Sequence, residues 1–179
     1  MTVFVAGVHG VGKTHLCQQY ASAFPVLHES ASSLIQRERT QTAWSLDKRV
    51  VDVNDNQNAL FRAVRRIALE GDSLLLDGHF VLISESAEFI KLDVQVFESL
   101  GLRGVVLLEA SPEVIVSRLE KRDYSKSAVN IEDFIKAERN NAENICGALG
   151  LNLEILYEPD FEEFSRAVLS MFNSVNREW

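Results

Sequence analysis

The sequence predicts an α/β protein of three layers, with a five-stranded parallel sheet between two layers of helices. Three observations carry this expectation. Short apolar runs without polar alternation recur along the chain, at Val3-Phe4-Val5-Ala6, Leu74-Leu75-Leu76 and Gly104-Val105-Val106-Leu107-Leu108, with a weaker one at Leu153-Glu154-Ile155-Leu156 and a short second strand expected at Val26-Leu27-His28. Runs of that kind suit parallel strands buried on both faces. Helical patterns separate them, and strands alternating with helices indicate a parallel sheet. The first run also leads straight into Gly7-Val8-His9-Gly10-Val11-Gly12-Lys13-Thr14, a G-x-x-x-x-G-K-[ST] pattern lying between a strand and a helix.

The helices follow from local signals. Leu16, Tyr20 and Ala23 share a helical face that Pro25 ends. Ser30 is a plausible cap for a helix running to about Arg39, with Leu34 and Ile35 at its centre. Residues 40–56 are polar and unpatterned apart from Val50, Val51 and Val53. From Asn56 to Glu70, Leu60, Ala63, Val64 and Ile67 keep amphipathic spacing, and Gly71 sits where the helix should stop. Later helices are expected over 112–122, 131–149 and 160–172. The first of these starts at Ser111-Pro112, a cap residue followed by Pro at the first position.

Composition narrows the function classes. The chain has 179 residues, 46% hydrophobic and 25% charged, which suits one domain spanning 1–179 with a substantial core. A net charge of −8 disfavours a general binder of nucleic acid or of anionic membranes. Cys17 and Cys146 are far apart and lack the spacing of a structural zinc site. No apolar stretch reaches the roughly 18 residues of a membrane helix. The N-terminus reads as a core strand rather than a leader, so a cytoplasmic protein is expected.

The glycine loop is expected to hold nucleotide phosphates. Its N–H groups would point inward, and it feeds a helix N-terminus whose unpaired N–H groups favour an anion. Gly7, His9, Gly10, Val11, Gly12, Lys13, Thr14 and His15 form the candidate donor site, with Lys13 reaching the outer phosphates and Thr14 offering its hydroxyl to Mg²⁺. Asp77 closes an apolar strand, where it either acts on Mg²⁺ or caps the next turn. His79, two residues on, either contacts substrate or hydrogen-bonds a turn.

Arginines on buried-side stripes add information. Arg118 and Arg122 fall on the face of Ile115 and Leu119; Glu138 and Arg139 fall within or beside the arc of Ile135, Ala142, Cys146 and Leu149. Such arginines snorkel, pair with a Glu across helices, or meet phosphate, which their planar guanidinium suits. The polar loop 122–128 between these helices is expected to close over phosphates, with Lys126 either a contact or an exposed loop lysine. On the opposite side, Glu29, Ser32, Arg37 and Arg39 lie where an acceptor is expected to sit, although a solvated helix end also accounts for the two arginines. Gln57 either reads a base edge or caps its helix.

Taken together, Gly7 to Thr14, Leu74-Leu75-Leu76-Asp77-Gly78-His79, Leu108-Glu109-Ala110-Ser111-Pro112-Glu113 with Arg118 and Arg122, and Glu138-Arg139-Asn140-Asn141-Ala142 resemble the P-loop kinases of nucleosides and nucleotides. The likeness is to the small adenylate-kinase-like branch that includes the archaeal-type adenylate kinases. It implies a nucleotide-kinase-like P-loop NTPase fold, with an acceptor-binding insert at about 26–60 and a short lid at about 122–131. It also implies that lid arginines and Lys13 handle the donor's phosphates. Residues 26–60 depart from that branch's base-recognition pattern. The expected activity is therefore transfer of the γ-phosphate of Mg-ATP to a small nucleotide, nucleoside or related metabolite. Lys13, Arg122, Arg139 and Asp77 would be catalytic, Arg118 would bind the donor, and Thr14 and Asp77 would bind the metal. ATP and Mg²⁺ are the expected cofactors, and a monomer or homodimer the expected state. The rivals are a nucleotide-dependent switch without a small acceptor and a kinase of polynucleotide ends.

Overall fold

In the computed structural model of the chain, residues 1–42, 53–84, 86–121 and 130–173 are described. The elements run β1 (Thr2–Ala6), α1 (Lys13–Ala23), β2 (Leu27–Ser30), α2 (Ala31–Thr42), α3 (Val53–Leu69), β3 (Leu74–Asp77), β4 (Val81–Ile83), β5 (Phe89–Lys91), α4 (Val94–Glu98), β6 (Leu102–Glu109), α5 (Pro112–Glu120), α6 (Ile131–Leu149), β7 (Asn152–Tyr157) and α7 (Phe161–Asn173). A five-stranded sheet has the order β2-β3-β1-β6-β7, and every pairing in it is parallel. The remaining two strands, β4 and β5, form a small antiparallel hairpin.

The absence of polar alternation in the central strands has a direct cause. Alternate residues of each strand enter two separate cores. Phe4, Leu74, Leu76, Val105 and Leu107 pack on one face with Ala63, Val64 and Ile67 of α3 and Ala142, Ile145 and Cys146 of α6. Val3, Val5, Leu75, Val106 and Leu108 pack on the other with Cys17 and Tyr20 of α1, Ile115 of α5, and Phe164, Val168 and Met171 of α7. A polar side chain on either face would lose its water partners.

The helix ends match the local chemistry. Ser111 accepts the Val114 N–H and Pro112 occupies the first position of α5. Asn130 accepts the Asp133 N–H at the start of α6, and Gly150 ends that helix in the left-handed region. The sequence reading assigned nothing to residues 80–101, where the structure has the β4–β5 hairpin and α4. Among the described residues no helix is long and apolar enough to cross a membrane.

Register brings the chemistry to one rim. Asp77, the last residue of β3, lies opposite Val5 of β1 and opposite Ser30 of β2. Ala6 pairs with Leu107 two residues before the end of β6. The carboxyl ends of β2, β3, β1 and β6 therefore surround the loop that follows β1, which is where open parallel sheets hold ligands.

Candidate active site

The loop between β1 and α1 takes a path that only glycine follows without strain. Gly7, Gly10 and Gly12 have φ of 141°, 82° and 113°. At Gly7 the constraint is also one of space, because a Cβ would lie 2.5 Å from the carbonyl oxygen of Leu108. Gly7→Ala is accordingly expected to weaken nucleotide binding at least about tenfold and to lower stability by roughly 1–3 kcal/mol. Calorimetric titration and thermal unfolding would measure the two effects.

Lys13 is buried, and its Nζ donates to the carbonyls of Gly7 at 2.6 Å and Val8 at 3.1 Å. Burial pulls its pKa down from an ordinary 10.5 to about 8, and the carboxylates of Glu138 and Asp77 limit the fall. The ammonium is thus held at the loop by weak carbonyl partners, which phosphate oxygens would outbid through stronger charge-assisted bonds.

Thr14 Oγ1 donates to Asp77 Oδ2 at 3.3 Å, so the two oxygen ligands expected for Mg²⁺ do converge. Such hard oxygens suit that ion, which keeps several waters and takes few protein ligands. The same Asp77 oxygen lies 2.7 Å from His28 Nε2. Cys17, His28 and Asp77 bring potential ligand atoms within 4.8 Å of one another. Sequence spacing could not reveal that cluster, because its members come from α1, β2 and β3.

Glu138 holds the site together. Its carboxylate is 1% exposed, yet it makes no ion pair with Arg139. Instead Oε1 accepts the N–H of Gly7 at 3.2 Å, both oxygens accept the Phe80 N–H at 3.0 Å, and Oε2 accepts the Val81 N–H at 2.7 Å. Burial raises its pKa, and these N–H bonds together with Lys13 oppose the rise. One turn along α6, Asn141 Nδ2 donates to the carbonyls of Phe80 and Leu92. The sequence offered one signal for this role: a carboxylate on an apolar arc needs buried donors.

The arginines divide. Arg118 Nη1 donates to the carbonyls of Val11 at 2.6 Å and Gly10 at 3.4 Å, so it braces the outside of the loop. Arg139 Nε donates to Glu109 Oε1 at 2.6 Å, and its Nη2 to Oε2. Glu109 closes β6, so this pair sits on the same rim, and its hydrogen bonds raise the Arg139 pKa further. Arg122 and Lys126, with most of the expected lid, lie outside the described residues.

Beside the loop opens a cavity of about 730 Å³, within the size range of small-molecule sites. His9 and Asp77 line it, so it adjoins the donor loop. Ser32, Gln57 and His79 line it as well. Glu29 and Arg37 do not; they pair with each other at 2.5 Å. Arg39 is the α2 arginine on the cavity wall. The rings of His9 and His79 lie 4.1 Å apart. Burial, then Lys13 and His9, push the His79 pKa well below its usual value, so its ring is neutral at pH 7. Its Nδ1 is buried without a hydrogen-bond partner among the described residues. His15 is exposed in the first turn of α1.

With this geometry in view, the comparisons with known proteins are specific. A family model described as AAA domain matches residues 6–135, a span from the end of β1 into α6. The chain belongs to that family. Among curated proteins no sequence match is found. Three solved structures share the fold across nearly the whole AAA-domain chain. A sugar kinase from Janibacter sp. HTCC2649 is 16% identical, with a TM-score of 0.55 over 96% of this chain and 94% of its own. A gluconokinase from Sinorhizobium meliloti 1021 is 16% identical, with a TM-score of 0.53 over 95% and 90%. Shikimate kinase from Aquifex aeolicus vf5 is 12% identical, with a TM-score of 0.56 over 96% of each chain. The fold is thus the three-layer α/β/α arrangement of the P-loop kinases, with the parallel five-stranded sheet the sequence predicts.

Proposed function

We propose that this protein is a cytoplasmic phosphotransferase that moves the γ-phosphate of ATP to a small nucleotide, nucleoside or related metabolite seated in the cavity beside the loop. The observation that carries the reading is the shared wall. Asp77 and His9 belong both to the phosphate-loop rim and to the 730 Å³ cavity, so a donor and an acceptor would meet there. A nucleotide-dependent switch has no use for a cavity of this size at that place. The structural neighbours named as kinases of sugars, gluconate and shikimate support the same class of chemistry.

The roles follow from the contacts. The loop N–H groups and the start of α1 bind phosphate oxygens, and Lys13 exchanges its carbonyl partners for them. Thr14 and Asp77 would hold Mg²⁺, which would supply positive charge against the phosphates. Arg118 keeps the loop in its binding shape through Val11. Arg139, aligned by Glu109, presents a fixed positive charge at the rim. Phosphoryl transfer relies on positioning and electrostatics rather than on a covalent nucleophile, and all of these residues serve that end.

A panel of small hydroxyl and phosphate acceptors, incubated with ATP and Mg²⁺ and read by ADP and phosphorylated product, tests the proposal. The expected result is one acceptor class that stimulates ADP formation stoichiometrically with its own phosphorylation. Slow ADP release that no acceptor changes would favour the switch. Arg139→Ala is expected to lower kcat about 100-fold and also to lower the melting temperature, because it leaves the buried Glu109 carboxylate without its partner; Arg139→Ala with Glu109→Gln should restore stability and not kcat.

A further inference from the structure

We propose that the acceptor is an elongated alcohol, with its hydroxyl at the Asp77 end of the cavity, an apolar body, and one anionic group at the far end on Arg39. This rests on the phosphotransferase reading and departs from its nucleotide or nucleoside acceptor.

The cavity has two distinguishable ends. Ser32, Ile35, Gln36 and Arg39 all line it, and their spacing places them on one face of α2. At the near end, Ala31 packs beside Gly78, where an added Cβ would lie 3.5 Å from that of Ala31, next to Asp77. Arg39 follows Ser32 by seven residues, about 10 Å along the helix axis. Its Nη1 donates to Asn56 Oδ1 at 3.1 Å, which holds the guanidinium by the first turns of α3 and away from the transfer end.

Arg39 also differs from the arginines around it. Arg37 pairs with Glu29, and Arg62 and Arg66 both pair with Glu38. Among the described residues, the bond to the neutral Asn56 amide is the one that Arg39 makes. A cation on a cavity wall with a neutral partner suits an anionic ligand group, and a planar guanidinium favours a carboxylate or phosphate.

Much of the remaining wall is carbon. Phe4, Leu60, Leu92, Val96, Phe97 and Leu100 contribute to it. Phe97 is fixed by ring contacts with Phe4 at 5.5 Å and Phe80 at 4.5 Å. Against this carbon the hydroxyls of a polyol would lose water without gaining a partner, and Ser32, Gln36 and Gln57 serve only part of the wall, so an aromatic or branched aliphatic body fits it better than a sugar or a sugar acid. In the transfer, the acceptor oxygen bonds to the γ-phosphorus, the bond from that phosphorus to the β,γ-bridging oxygen breaks, ADP departs, and the hydroxyl proton leaves to solvent.

The test compares para-(hydroxymethyl)phenylacetate, its neutral amide, gluconate and AMP as acceptors with Mg-ATP, using the native protein and Arg39→Gln. The aryl acid is expected to be phosphorylated on its hydroxyl, with a KM about 10- to 100-fold below that of its amide. Arg39→Gln should raise the KM of the acid into the range of the amide and leave the KM for ATP unchanged. Preference for gluconate would overturn the proposal and leave the kinase reading intact. Turnover of AMP on its phosphate, insensitive to Arg39→Gln, would do the same. If ATP binds and no acceptor of any class yields ADP, the kinase reading itself falls.

Discussion

Glu138→Ala is expected to melt about 10 °C or more below the native protein and to lose measurable ATP binding. The side chain serves three backbone N–H groups, those of Gly7, Phe80 and Val81. Each buried donor left without an acceptor costs about 1–3 kcal/mol. Partial relaxation and water entry reduce the sum to about 3–5 kcal/mol, and a protein of this size loses about 2–4 °C per kcal/mol. Glu138→Gln should recover little, because its NH₂ group turns a donor toward N–H groups that already donate. Thermal unfolding with and without ATP separates the two consequences. A variant with native stability and native ATP affinity would remove Glu138 from the role assigned to it.

Lys13→Ala is expected to lower kcat/KM about 100- to 1,000-fold without destabilising the fold. The buried ammonium has a folded pKa near 8 against an ordinary 10.5. The folded state therefore disfavours the charged form, at a cost of about 3 kcal/mol. The sign fixes the pH window. The cost is present in full below about pH 8 and is relieved as pH rises from there towards 10.5, because the unfolded chain then binds the extra proton. Stability contributed by this group consequently rises across that window in the absence of nucleotide. Polyphosphate reverses the preference, since its charge favours the ammonium. ATP binding near pH 8 should take up protons, read as a heat of binding that changes with the ionisation enthalpy of the buffer. Equal heats in all buffers would show that Lys13 keeps its proton throughout.

The features legible in the sequence are those whose causes are local. The loop motif is contiguous, the caps at Ser111 and Gly71 are single-residue signals, and Leu74 to Leu76 read as a doubly covered strand because no residue in the run is polar. The β4–β5 hairpin escaped notice because three-residue strands such as Val81–Ile83 are too short to show a period. Partnerships across the sheet were also beyond reach. Arg139 finds Glu109 thirty positions away, and Arg37 finds Glu29 across a turn, leaving Arg39 on the cavity wall. Glu138 was visible as an anomaly on an apolar face, but its true partners are backbone groups, which carry no signature in the sequence.

The carboxylate of Glu138 has a further consequence through its covalent geometry. Its two oxygens are a fixed distance apart, and they grip Gly7 of the donor loop and Phe80, the residue after His79 of the cavity wall, at once. A shift of the loop under phosphate load is therefore transmitted to the segment that carries His79, and the reverse holds equally. Thermodynamic reciprocity requires that if ATP tightens the hold on the acceptor, the acceptor tightens the hold on ATP by the same factor. On the proposed reading, the two substrates would then act as effectors of one another through Glu138.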